Sequence, residues 1–134
     1  MSKLVSLSVI LLSLSVLGYT SLTLAGDREM IALGHMDDST QFRVQVVKTR
    51  ADQERGLQGH APLKVGEGML FEFDQPAIRC MWNHGVDFPV GVLFLSDQGQ
   101  PLEAIRMEPN NSKKVCSHVP VRHVLEINPD TRFK

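Results

Sequence analysis

Apolar and polar positions alternate with a period of two along much of the chain. "QFRVQVVKT" sets Phe42, Val44 and Val46 against Arg43 and Gln45, the pattern of a strand with one buried face. "EGMLFEF" does the same with Met69, Phe71 and Phe73 against Leu70 and Glu72. "VGVLFL" is apolar throughout, which predicts a central strand covered on both faces, and "SDQGQP" then turns the chain. "LEAIRM" and "RHVLEI" predict two further strands, and "REMIALG" adds one near the start. The expected core is Phe42, Val44, Val46, Leu70, Phe71, Phe73, Val92, Phe94, Val124 and Leu125.

One stretch breaks the period. "TRADQERGLQGH" opens on a capping residue, Thr49, carries Asp52 and Glu54 in its first turns, and stops at Gly56 or Gly59. These are the signals of a short helix. Many short strands, Gly and Pro turns and one small helix predict a mainly β fold. The expected form is a single small antiparallel β-barrel or jelly-roll-like domain.

The first 25 residues differ from the rest. Lys3 is followed by an uncharged run of Leu, Val, Ile and Ser that lasts until Asp27, and Thr23 and Ala25 supply small residues two positions apart. This predicts a signal peptide over residues 1–25, cut after Ala25. A retained anchor is the alternative, since the run from Leu4 to Gly26 is long enough to span a bilayer. Its many Ser and Thr residues favour cleavage.

The mature domain then covers residues 26–134, and 134 less 25 is 109 residues, enough for one compact core and not two. The leader holds one basic residue and no acid. The remainder has 13 basic against 15 acidic residues, a charge of −2 with His neutral. No basic excess points to nucleic acid or an anionic membrane surface. The expected location is the periplasm or the outside of the cell, with no stable membrane span after cleavage.

Both cysteines, Cys80 and Cys116, fall in the exported part, 116 − 80 = 36 positions apart. An oxidising compartment permits a disulfide between them. Two unpaired cysteines, one of them buried, are the alternative.

Four segments together, "ERGLQGH", "EGMLFEF", "CMWNHG…FPVGVLFL" and "VPVRHVLEIN", resemble the domain-of-unknown-function 192 family, also called uncharacterised protein family 0127. The likeness runs from about Phe42 to Asn128. It implies a compact β-barrel or jelly-roll-like domain, often exported in bacteria, and no established activity. The chain departs from the family pattern after Trp82. Asn83, His84, Gly85 and Val86 stand where Met-Lys-Asn-Thr is usual, so a function built on those side chains does not transfer.

The candidate ligand-binding residues are Arg55, Trp82, Asn83, His84 and Glu126. A guanidinium at a helix end, as in Arg55, can pair with Glu67 or Glu126 or hold an anion. Trp82 can stack on a flat ligand, although a lone tryptophan in a strand is more often core. Asp87 and Glu126 could form a carboxylate pair for acid–base work.

A second set, Cys80, Met81 and His84 with Cys116, His118 and His123, and Met69 and Met107 beside them, has the soft donors of a copper or zinc site. No spacing matches a known metal loop, and a disulfide would remove two ligands. No metal or cofactor is therefore expected. No phosphate loop and no GxSxG stretch occurs.

The reading that results is an exported, non-enzymatic β-domain that binds a small ligand or an envelope component. The alternatives are a metal- or redox-active Cys/His/Met protein and a hydrolase of envelope glycans. A pocket holding Trp82 together with two acids would favour the last.

Overall fold

The structure, a computed structural model, describes residues 22–23, 29–32 and 41–131. The elements are β1 (Leu22–Thr23), β2 (Glu29–Ala32), β3 (Gln41–Val47), α1 (Arg50–Arg55), β4 (Glu67–Ala77), β5 (Cys80–Asn83), β6 (Val90–Leu95), β7 (Pro101–Met107), β8 (Asn111–Cys116) and β9 (Val121–Ile127). Seven strands form one sheet in the order β1-β2-β3-β4-β9-β6-β7, and β5 and β8 form a separate ribbon.

Each strand predicted from the period is present. The expected leader lies outside the described residues except for Leu22 and Thr23, which pair with Met30 and Glu29. A chain cut after Ala25 would lose β1 and keep β2.

Three features differ from expectation. The main sheet is open rather than closed into a barrel, with β1 and β7 at its edges. Strands β3 and β4 are parallel, with Val46 opposite Leu70. The cause is the helix, which carries the chain back across the sheet so that β4 starts at the same end as β3. Lastly, "NSKKVC", to which the apolar period assigns no strand, is strand β8. Its residues are almost all exposed, so no apolar alternation marks it.

The helix forms where its caps predict. Thr49 Oγ1 accepts from the Asp52 backbone N–H at 3.2 Å, and the chain leaves at Gly56 with φ 49°. The helix buries none of its own residues fully. It is held by Gln53, whose Nε2 donates to Glu72 O at 2.8 Å and to Val47 O at 3.4 Å.

Alternation along β4, β6 and β9 gives the sheet two apolar faces. One gathers Phe42, Val44, Leu70, Leu93, Leu95, Leu125 and Ile127. The other gathers Met69, Phe71, Val92, Phe94 and Val124 under the ribbon, with Leu57 and Met81 among its partners. Of the ten expected core residues, eight are buried, while Val46 and Phe73 are half-buried at the margins of the two clusters.

A candidate ligand-binding cavity

Strand β9 lies between β4 and β6, with Glu126 opposite Met69 on one side and Val92 on the other. Period two therefore turns Glu126 toward the face that carries Met69, Val92 and Val124. Its side chain enters a cavity of about 230 Å³ between that face, the helix and the ribbon. Phe71 and Phe73 come from β4, Leu57 and Gln58 from the segment after α1, and Met81, Trp82 and Asn83 from β5.

Glu126 is 4% exposed. Burial alone pushes its carboxyl up to about 8, because no charge or hydrogen bond among the described residues offsets the loss of water. At neutral pH it is a carboxylic acid, one O–H donor and one acceptor, set in an apolar wall. Trp82 lies at the opposite extreme, 48% exposed, with Lys114 Nζ 4.8 Å from its ring centroid.

All five candidate residues, Arg55, Trp82, Asn83, His84 and Glu126, line this one cavity. Their individual roles differ from those expected. Arg55 pairs with neither Glu67 nor Glu126. Its Nη2 meets Asp52 Oδ1 at 2.7 Å, within its own helix, because three residues along a helix bring side chains together. The Asp52 carboxyl is held below the usual range, first by its hydrogen bond from Thr49 and then by Arg55.

Asn83 is 2% exposed, and its amide donates to Phe88 O at 2.8 Å and Glu108 O at 3.0 Å. Both amide hydrogens are thus spent on backbone carbonyls in two turns, and only its oxygen is left for the cavity. His84 Nδ1 sits 3.1 Å from Ser112 Oγ on β8. Asp87 is exposed and does not line the cavity, so the expected Asp87–Glu126 pair is not made there. The acid that joins Glu126 in the lining is Glu54, whose Oε1 pairs with Arg50 Nε at 2.7 Å.

Sequence reasoning missed Gln53, Glu54 and Gln58 as lining residues. The pattern locates the helix, but not which of its faces meets the sheet.

Cys80 and Cys116 form a disulfide, and Cys80 also borders the cavity. The bridge takes both thiols from the soft-donor set. The histidines of that set are apart: His118 pairs with Glu103 at 2.8 Å, and His123 lies opposite Leu95, on the other face of the sheet from Glu126. Burial lowers the His123 pKa and keeps the ring neutral. No three His, Cys, Asp or Glu side chains gather as metal ligands among the described residues. The same residues include no helix long and apolar enough to cross a membrane.

The DUF192 family model, described as an uncharacterized ACR, matches residues 32–132. The chain belongs to the DUF192 family. Two solved structures share the fold. A protein of unknown function from Novosphingobium aromaticivorans is 20% identical, with a TM-score of 0.67 over 87% of this chain and 84% of its own. A Sinorhizobium meliloti protein, provisionally described as a transcription regulator, is 26% identical, with a TM-score of 0.63 over 66% of this chain and 69% of its own. No curated protein matches. Membership in DUF192 thus brings a fold and no reaction, and the cavity's own chemistry has to carry the functional reading.

Proposed function

We propose that this DUF192 chain is an exported, non-enzymatic β-domain that holds a small ligand, free or part of an envelope component, in the cavity between Trp82 and Glu126. The observation that carries the reading is Glu126 itself. A carboxyl set in an apolar wall with no partner among the described residues costs the fold stability, and it opens onto a cavity where a ligand group can meet it. The apolar lining with a few convergent polar groups is the usual make-up of a ligand site. The disulfide supports an oxidising compartment, and so does the leader, with its long uncharged run after Lys3.

Glycan hydrolysis is the second reading. Trp82 shares the cavity with two acids, Glu126 and Glu54, whose surroundings differ. One is buried and protonated, and the other is exposed and paired with Arg50, a division that acid–base catalysis can use. The Arg50 pairing counts against it, because it occupies the carboxylate that would have to serve as base or nucleophile.

The test is an NMR screen of the full chain against small metabolites and soluble glycan fragments, followed over hours. The proposal expects shifts at the Trp82 indole N–H and at Asn83, with every ligand recovered intact. Shifts confined to other surfaces would overturn it, and cleavage of a fragment would replace it with the hydrolase.

A further inference from the structure

We propose that the cavity takes one uncharged, hydroxyl-bearing ring of about pyranose size, stacked against Trp82 and hydrogen-bonded by the Glu126 carboxyl. This deepens the ligand-binding reading and rests on it.

Size comes first. About 230 Å³ lies below the roughly 300–1,000 Å³ of sites for drug-sized molecules, so the cavity suits a single ring. Shape and polarity come next. Phe71, Phe73 and Met81 give apolar walls for C–H faces, and the half-exposed Trp82 indole offers a flat surface at the margin.

The polar groups then select against charge. Each charged side chain that the helix brings to the lining is already paired, Arg50 with Glu54 and Arg55 with Asp52, both at 2.7 Å. An anionic ligand finds no unpaired cation among these, and it meets the Glu126 carboxyl; Lys114, 4.8 Å from the Trp82 ring centroid, stands outside the lining. A cationic ligand would need Glu126 ionised in a setting that opposes ionisation. A hydroxyl group both donates and accepts, and so does a protonated carboxyl. Asn83 adds an acceptor only, since its two amide hydrogens are bonded to Phe88 and Glu108 carbonyls. Gln53 is similar, because its Nε2 is held by the Glu72 and Val47 carbonyls. The acceptors left on Asn83 and Gln53 therefore match the donors of a polyol.

A pH dependence follows. Burial pushes Glu126 up to about 8, so its O–H donor is present at neutrality and lost above that pH. The other titratable or charged groups facing the cavity are Arg50, Glu54 and Arg55 from the helix side and His84 from the end of β5, and Lys114 of β8 lies against the Trp82 ring at its margin. The β4 residues that line it, Phe71 and Phe73, carry no charge.

The full chain, with its disulfide intact, is titrated calorimetrically with glucose and N-acetylglucosamine, and with choline and acetate as charged probes. The expected result is binding of at least one sugar, steady from pH 6 to 7 and at least fivefold weaker at pH 9. Trp82→Ala should weaken it by on the order of tenfold. Glu126→Leu should lose it, and the neutral isostere Glu126→Gln should restore it without the alkaline fall. Tri-N-acetylchitotriose distinguishes the sources: binding as tight as the monosaccharide assigns a chain end, weaker binding a free sugar, and either supports the ring.

Choline binding that strengthens through pH 8 and vanishes in Glu126→Gln would overturn the proposal in favour of a cation site, with the ligand-binding reading intact. Failure of every sugar, while the metabolite screen still shifts Trp82 and Asn83, would overturn the uncharged ring alone. A blank screen as well would overturn both readings.

Discussion

Cys80 and Cys116 are register partners across β5 and β8, 4.0 Å apart at Cα and joined by a 2.05 Å S–S bond. The bridge closes one end of the ribbon. Beside it, Arg79 N–H donates to Ser117 Oγ at 3.0 Å and Ser117 N–H donates to Arg79 O at 2.9 Å. A two-stranded ribbon is marginal by itself, and this one carries the Trp82 wall of the cavity.

The first prediction concerns that bridge. The chain-entropy model credits a loop of this length with roughly 3–4 kcal/mol. Cys80→Ser and Cys116→Ser should each lose a similar amount, and the double variant no more than either alone. Thiol titration of the denatured wild type should find none free. Unequal single losses that add in the double variant would mean that the cysteines act separately.

The second prediction concerns the core. Phe71 and Phe94 are 2% and 0% exposed within one cluster, on neighbouring sides of β9. Phe→Ala at either should cost about 3–5 kcal/mol in denaturant unfolding. Phe71→Ala should also widen the cavity it lines, so its effect on binding should exceed that of Phe94→Ala.

Much of the fold is legible in the sequence, for particular reasons. Period two locates β3, β4 and β9, and it sets Glu126 on the same face as Val124, though with Leu125 also in the core it does not say which face carries the cavity. The unbroken run Val90–Leu95 marks a strand covered on both faces, and all six residues are buried. Strand β8 is not legible, because Val115 alone of its side chains packs against the core and one apolar position makes no alternation. The parallel β3–β4 pair is hidden for another reason. Local pattern reports which residues are buried but not which strand end a helix returns to. Trp82 also goes against its residue type, since a lone tryptophan in a strand is usually core and this one is half-exposed.

Asn83 supplies the third prediction. Its side chain ties the turn after β5 to the end of β7 through the Phe88 and Glu108 carbonyls. Asn83→Ala leaves two partly or fully buried acceptors unpaired, at about 1–3 kcal/mol each. Asn83→Asp should be at least as harmful, since it sets a carboxylate against two carbonyl oxygens. Thermal unfolding of both variants checks this, and an unchanged midpoint in either would show that the turns are held by other means.

The last prediction takes the sign of two buried titrations. Glu126 has its carboxyl raised from 4.5 to about 8 by burial. Across that interval the folded chain keeps a proton that the unfolded chain has released, so stability falls as pH rises. His123 works the other way. Burial lowers its pKa from 6.5, so below that value the unfolded chain binds the extra proton and stability falls as pH drops. Below about pH 6.5 the two slopes oppose each other, and above it the Glu126 slope stands alone. At roughly 1.4 kcal/mol per pH unit, the wild type should lose about 2 kcal/mol between pH 6.5 and 8. Glu126→Gln cannot ionise, so it should hold its stability across that window and exceed the wild type at pH 8. Urea unfolding at half-unit steps of pH decides it. Parallel curves for the two proteins would mean that Glu126 is already ionised in the folded state, and the hydrogen-bond donor assigned to the cavity would be absent.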